Sequence, residues 1–259
     1  MLPIAECQAL YLFLIHRYRE QAPSHMGSSV FTGLRSSHKA CIPVNCAFFG
    51  PSHGEPGMPA SILYIHGFNS APASTKASQL ITVMGALGLA DQLRVPALHH
   101  HPRQAIPQLE AAIAELGRPL LVGSSLGGYY ATHLAERHGL KALLVNPAVS
   151  PHRMFDGYLG TQKNLYTDEA WELTHDHVTA LAELEVAAPQ DAARYQVWLQ
   201  TGDETLDYRL AQQYYRACAL RIQAGGDHGY QGFAQQLPAL LSFAGIGADQ
   251  YQSFDFSSL

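Results

Sequence analysis

Gly123-Ser124-Ser125-Leu126-Gly127 fits the pattern G-x-S-x-G, a serine set between two glycines. It follows the apolar run Leu120-Leu121-Val122 and opens a stretch with helical spacing. A serine on such a sharp strand-to-helix turn projects its hydroxyl clear of the backbone, and the glycines relieve crowding at the turn. The chemistry this permits is nucleophilic attack on a carbonyl carbon. The N–H of Leu126, at the helix N-terminus, is placed to receive negative charge developing on oxygen. The plain alternative is a glycine-rich turn with no catalytic role.

A second oxyanion donor is expected from His66-Gly67-Phe68-Asn69, a turn after another apolar run. Phe68 is the expected donor through its backbone N–H, and His66 is expected to fix the turn rather than carry a proton. For the general base, 14 histidines compete. Proteins with this kind of nucleophile turn order their residues as serine, acid, histidine. His228 suits the last place, because Gly225-Gly226-Asp227-His228-Gly229 is a mobile turn after the final apolar run. The acid is expected after the preceding strand, where Thr201-Gly202-Asp203-Glu204 falls. Asp203 is the first carboxylate there, with Glu204 and Asp207 as rivals. Asp227 is a poor candidate, since neighbouring side chains on an extended backbone diverge.

His99-His100-His101 invites comparison with a metal site. Successive residues rarely converge on one ion, and no carboxylate lies within several positions, so no metal is expected. The run is expected as a loop at a strand's C-terminal end, where ligands of open α/β sheets bind, and hence as part of a pocket rim.

These residues need a scaffold, and the sequence from Ser61 onward has a regular one. Ser61-Ile62-Leu63-Tyr64-Ile65-His66 is a continuous apolar run, and similar runs occur at 93–97, 120–122, 142–145, 195–199 and 220–222. Between them, 76–89, 104–116, 127–138, 208–217 and 233–243 carry helical spacing. Short buried strands alternating with helices predict a mainly parallel sheet covered on both faces, a three-layer α/β architecture. The segment 147–189 breaks this rhythm. It carries Tyr158, Tyr166 and Trp171 and a predicted helix over 168–182, and is expected either as a packing excursion or as a small cap over the site. Its aromatics look scattered, which predicts a shallow pocket suited to short acyl groups.

The first 57 residues differ in composition. Ser24-His25-Met26-Gly27-Ser28-Ser29 and Gly50-Pro51-Ser52-His53-Gly54 are loop-like, and only 42–49 has strand character. The short apolar run at 9–15 has its arginines after it, the reverse of a secretory signal. The chain has 259 residues and a formal net charge of −5, enough for one large domain and unsuited to nucleic acid. No stretch reaches the roughly 20 apolar residues of a membrane span. Four cysteines without ligand spacing suggest free thiols in the cytoplasm.

Several stretches together carry a resemblance. Ile65-His66-Gly67-Phe68-Asn69-Ser70, Val122 to Thr132, Val145-Asn146-Pro147-Ala148-Val149, Thr201-Gly202-Asp203-Glu204 with Leu206-Asp207-Tyr208, and Gly225-Gly226-Asp227-His228 resemble the YqiA-type bacterial esterases, in the same order. The resemblance runs from about Ser61 to Phe243. It implies an α/β-hydrolase fold and a cytoplasmic enzyme without cofactor. Its substrates would be carboxylic esters, with acyl thioesters as a further class. It also implies Ser125, Asp203 and His228 as the triad. Members of that family begin shortly before the first strand, near Met58 here, so residues 1–57 have no counterpart. A non-catalytic binding protein on the same fold is the alternative, weighed against an intact nucleophile, acid, base and oxyanion turn.

Overall fold

Strand and helix alternate through a computed structural model that describes residues 60–259. The order is β1 (Ile62–Ile65), α1 (Thr75–Ala86), β2 (Leu93–Arg94), α2 (Pro102–Leu116), β3 (Leu120–Ser124), α3 (Leu126–His138) and β4 (Ala142–Val145). The insertion then contributes α4 (His152–Phe155), β5 (Gly160–Lys163), β6 (Ala170–Leu173) and α5 (His175–Ala182). The chain closes with β7 (Tyr195–Gln200), α6 (Tyr208–Tyr214), β8 (Ala219–Gln223), α7 (Phe233–Ala244) and α8 (Ala248–Tyr251). All of these lie in the unit Pro59–Leu259. The expected loop-like extension over 1–57, its strand at 42–49 and three of the four cysteines lie outside the described residues.

The main sheet runs β2-β1-β3-β4-β7-β8 with every pairing parallel. Side chains alternate across it, as the two-residue period of a strand requires. Leu63, Ile65, Leu121, Leu144 and Val197 face a core shared with α2 and α3. Ile62, Tyr64, Val122, Leu143 and Trp198 face a second core under α1 and α7. Both faces are therefore buried, which explains why these strands are unbroken apolar runs. Chain order reverses between β1 and β3, because β2 lies on the far side of β1. Ligand crevices in open parallel sheets form at such a reversal, beyond the strands' carboxyl ends.

Three expectations need correction. β2 ends at Arg94 instead of extending through 97, and Pro96 lacks the N–H a ladder needs. β8 is an edge strand rather than a buried one, with Ile222 exposed. The helix predicted over 168–182 starts only at His175. Before it, Ala170–Leu173 pairs antiparallel with β5, burying Trp171 and Leu173 while Ala170 and Glu172 face outward. Period two wins there because the ribbon has a partner strand and one buried face. Among the described residues, no helix is long and apolar enough to cross a membrane.

Candidate active site

Ser125 sits between β3 and α3 with φ of 56° and ψ of −122°, a backbone state that side-chain-bearing residues seldom adopt. Its surroundings hold it there. Ser125 N–H donates to Val145 O at 3.1 Å, and its carbonyl accepts from Ala148 N at 3.0 Å, strapping the turn to the end of β4. The two motif glycines are required by close approach. A Cβ on Gly123 would overlap the Gly127 carbonyl, and one on Gly127 would overlap the Ile65 carbonyl. The pattern G-x-S-x-G is thus the condition for packing α3 down on β1 and β3.

The turn after β1 passes alongside. A Cβ built on Gly67 would lie 3.1 Å from Ser125 Cβ. His66 fixes this turn: Nδ1 donates to Gly67 O at 3.1 Å and Nε2 accepts from Leu98 N at 3.2 Å. Accepting from Leu98 requires a neutral imidazole, and burial pushes its pKa below the ordinary value. The backbone N–H groups of Phe68 and Leu126 have no carbonyl partner among the described residues.

The structure brings His228 and Asp203 to Ser125. His228 Nε2 is 3.0 Å from Ser125 Oγ, and Nδ1 is 2.8 Å from Asp203 Oδ2. The carboxylate side chain is only 2% exposed, and its Oδ1 also accepts from Thr205 N at 2.9 Å and Leu206 N at 2.8 Å. The rival carboxylates have other partners. Glu204 Oε2 accepts from the backbone N–H of His228 at 3.0 Å, and Asp207 caps α6 by accepting from Arg209 N at 3.0 Å. Asp227 accepts from Gln231 Nε2 at 2.9 Å.

Next to this group is a pocket of about 40 Å³ bounded by Gly67, Phe68, His100, Leu126, Tyr130 and Trp171. The insertion supplies Trp171, Asn164 and Glu169 to its wall. Of the insertion's aromatics, Trp171 and Phe155 converge on the turn after β1 whereas Tyr166 is exposed, so the expected scatter holds only in part. Phe68 packs on Phe155 with centroids 4.8 Å apart and meets Trp171 edge-on at 5.6 Å, while Trp171 stacks on His100 at 4.5 Å.

A family model described as an uncharacterised protein family, UPF0227, matches residues 61–245. The chain belongs to that family. A UPF0227 protein from Shewanella woodyi is 26% identical over 191 residues, 70% of this chain and 98% of the relative. Among solved structures, a hydrolase described as putative from Agrobacterium vitis S4 superposes with a TM-score of 0.57 at 15% identity, over 73% of this chain and 91% of that one. Mouse alpha/beta hydrolase domain-containing protein 10 gives 0.57 at 13%, over 70% and 88%. Est1E from Butyrivibrio proteoclasticus, solved with ferulic acid bound, gives 0.54 at 15%, over 75% and 92%. The fold of this UPF0227 chain is the α/β-hydrolase fold.

Several residues of the UPF0227 chain that support the site went unassigned on sequence grounds. Asn146, buried after β4, donates through Nδ2 to Asp227 O at 3.1 Å and His228 O at 3.2 Å, and its Oδ1 accepts from Gln200 N. Gln200 Oε1 accepts from Asp227 N and Gln231 N, and Lys76 Nζ donates to Gly229 O at 2.9 Å. Burial pulls the pKa of Lys76 down to about 8, against the attraction of Asp227 and Asp203. A polar residue ending an apolar strand, as Gln200 does, was the one available signal.

The histidine run forms a stack between core and insertion. His100 Nδ1 lies 3.2 Å from His177 Nε2, and His101 Nε2 lies 2.9 Å from Asp176 Oδ2. His99 and His100 line the pocket, as the rim expectation had it. Among the described residues, no group of three or more His, Cys, Asp or Glu is placed to hold a metal ion.

Proposed function

We propose that this protein is a serine esterase acting on small carboxylic esters through Ser125, His228 and Asp203, in which Phe68 and Leu126 bind the oxyanion. The observation that carries this reading is the continuous hydrogen-bonded chain from Ser125 Oγ through His228 to a buried Asp203. Asp203, an acceptor on both oxygens, directs the Nδ1–H tautomer and leaves Nε2 to accept the serine proton.

In the first step Ser125 Oγ attacks the ester carbonyl carbon while its proton passes to His228 Nε2. The carbonyl oxygen, now negative, accepts from the N–H groups of Phe68 and Leu126. The imidazolium, held by Asp203, protonates the leaving alcohol as the ester C–O bond breaks and an acyl-serine remains. Water then attacks the acyl carbon with His228 again taking a proton, and the carboxylic acid leaves as Ser125 regains its hydrogen. Acyl thioesters fit the same sequence, with a thiol as the leaving group.

A pocket of about 40 Å³ walled by Phe68, His100 and Trp171 supports small acyl groups. It has room for roughly three waters, or a short chain in their place. The test is labelling by a fluorophosphonate probe together with hydrolysis of a p-nitrophenyl ester panel. Wild type should be labelled at Ser125 and cleave the short esters, and Ser125→Ala should do neither. Labelling that persists in Ser125→Ala overturns the assignment.

A further inference from the structure

Asn69 follows Phe68 directly, with its backbone in the left-handed region at φ of 50°. Three of its polar groups reach the β5–β6 ribbon. Oδ1 accepts from Trp171 Nε1 at 2.9 Å, Nδ2 donates to Gln162 Oε1 at 3.3 Å, and the carbonyl accepts from Leu165 N at 2.9 Å. One residue on, Ser70 O accepts from Asn164 Nδ2 at 3.0 Å. Gln162 and Trp171 are direct partners across the ribbon, so one amide bridges both strands at a single rung.

The orientation of that amide follows from chemistry. An indole N–H can only donate, so Oδ1 must face Trp171. Gln162 spends its Nε2 on Tyr158 O at 2.7 Å, which leaves its Oε1 to face Asn69 Nδ2. A residue here must tolerate a left-handed backbone and both donate and accept. Glycine meets the first need and aspartate lacks the donor, whereas asparagine meets all three. Trp171 also touches Phe68 through its ring edge, so the ribbon meets the oxyanion turn by two routes.

We propose that Asn69 is a positioning residue that couples the ribbon to the oxyanion turn. It holds the Phe68 N–H on the oxyanion and Trp171 at the pocket wall together, so that the hole is complete only when the ribbon is seated. This rests on the serine-esterase reading above. The bland alternative is an asparagine that stabilises a left-handed turn and does nothing further, and glycine replaces such an asparagine without loss.

The experiment compares Asn69→Gly, Asn69→Asp, Trp171→Phe and the double variant Asn69→Gly/Trp171→Phe in the full chain, each checked for a cooperative thermal melt. With p-nitrophenyl acetate, Asn69→Gly should lower kcat about tenfold, less than deletion of an oxyanion donor, with KM within about twofold. Asn69→Asp keeps the acceptor for Trp171 and should recover part of that loss. Trp171→Phe should also lower kcat, and the double variant should lose clearly less than the two single losses combined, because both changes weaken the same coupling. Hydrogen exchange should rise together over 66–70 and 160–173 in Asn69→Gly. The proposal is overturned by wild-type kcat in Asn69→Gly, by Asn69→Asp as impaired as Asn69→Gly, by additive losses, or by unchanged exchange in the ribbon. The exchange result bears on the coupling even if the wild type cleaves no ester, whereas that failure, together with absent Ser125 labelling, overturns the esterase reading.

Discussion

Asp203 and His228 meet at 2.8 Å beyond the ends of two neighbouring parallel strands, the carboxylate following β7 and the imidazole following β8. Neither loop makes this geometry alone. Glu204 holds the His228 backbone, Asn146 and Lys76 hold the carbonyls around it, and Gln200 holds the backbone at Asp227 and Gln231. The ring is aimed by a polar cage around its own turn.

Asp203→Asn should leave the fold intact and lower kcat by about 10³ to 10⁴, because an amide no longer enforces the Nδ1–H tautomer. Glu204→Gln keeps an oxygen acceptor for the His228 N–H, and Asp207→Asn keeps a helix cap, so each should cost far less. Steady-state hydrolysis of p-nitrophenyl acetate measures all three. A crippling Asp207→Asn would move the acid one helical turn along the chain.

Gly127→Ala should destabilise the protein by about 3 kcal/mol or more, since the new methyl has only the rigid backbone of β1 to displace. Urea denaturation gives the difference. A change below about 1 kcal/mol would mean that α3 can lift off β1 freely.

His177 predicts a pH dependence of stability. It is 6% exposed, Nδ1 accepts from Thr174 N at 3.2 Å, and His99, His100, His101 and Asp176 face it. Burial first, then the neighbouring His101 and His100, pull its pKa down to about 4 from an ordinary value near 6.5. Between those values the unfolded chain binds a proton that the folded chain resists, so stability falls as pH drops from about 6.5 to 4. Urea midpoints at pH 7 and pH 4.5 should separate, and His177→Gln should narrow the gap. An equal gap in the variant would assign the acid sensitivity to other groups.

Acyl preference follows from pocket size. Each buried methylene is worth about 0.8 kcal/mol, roughly fourfold in binding, and this pocket has space to bury few of them. Monomeric p-nitrophenyl acetate and butyrate should outrun longer esters in kcat/KM. A steady rise with chain length would place the acyl group elsewhere.

A variant beginning at Met58 should melt at the temperature of the full chain and keep its hydrolytic rate. Every element described lies in Pro59–Leu259, and the family match begins at residue 61. Loss of solubility or activity on this truncation would make residues 1–57 part of the domain.

The strand-turn-helix around Ser125, the turn after Ile65 and the alternation of apolar strands with helices were legible from residue order. They depend on backbone preference and burial period, which act over a few neighbouring residues. The same local information favours Asp203 only as the first carboxylate after the strand and leaves Glu204 and Asp207 as rivals, because they share one loop. The path of that loop separates them, turning Asp203 inward, Glu204 onto a backbone N–H and Asp207 onto a helix end. Sequence spacing alone puts Ala170–Leu173 in a helix, because four residues are too few to distinguish periods of 2 and 3.6 without the partner strand. The clasp of Asn69 on Gln162 and Trp171 joins residues about a hundred positions apart. No local preference encodes such a contact. It exists because packing the insertion against the turn after β1 brings these partly buried polar groups within reach of one another.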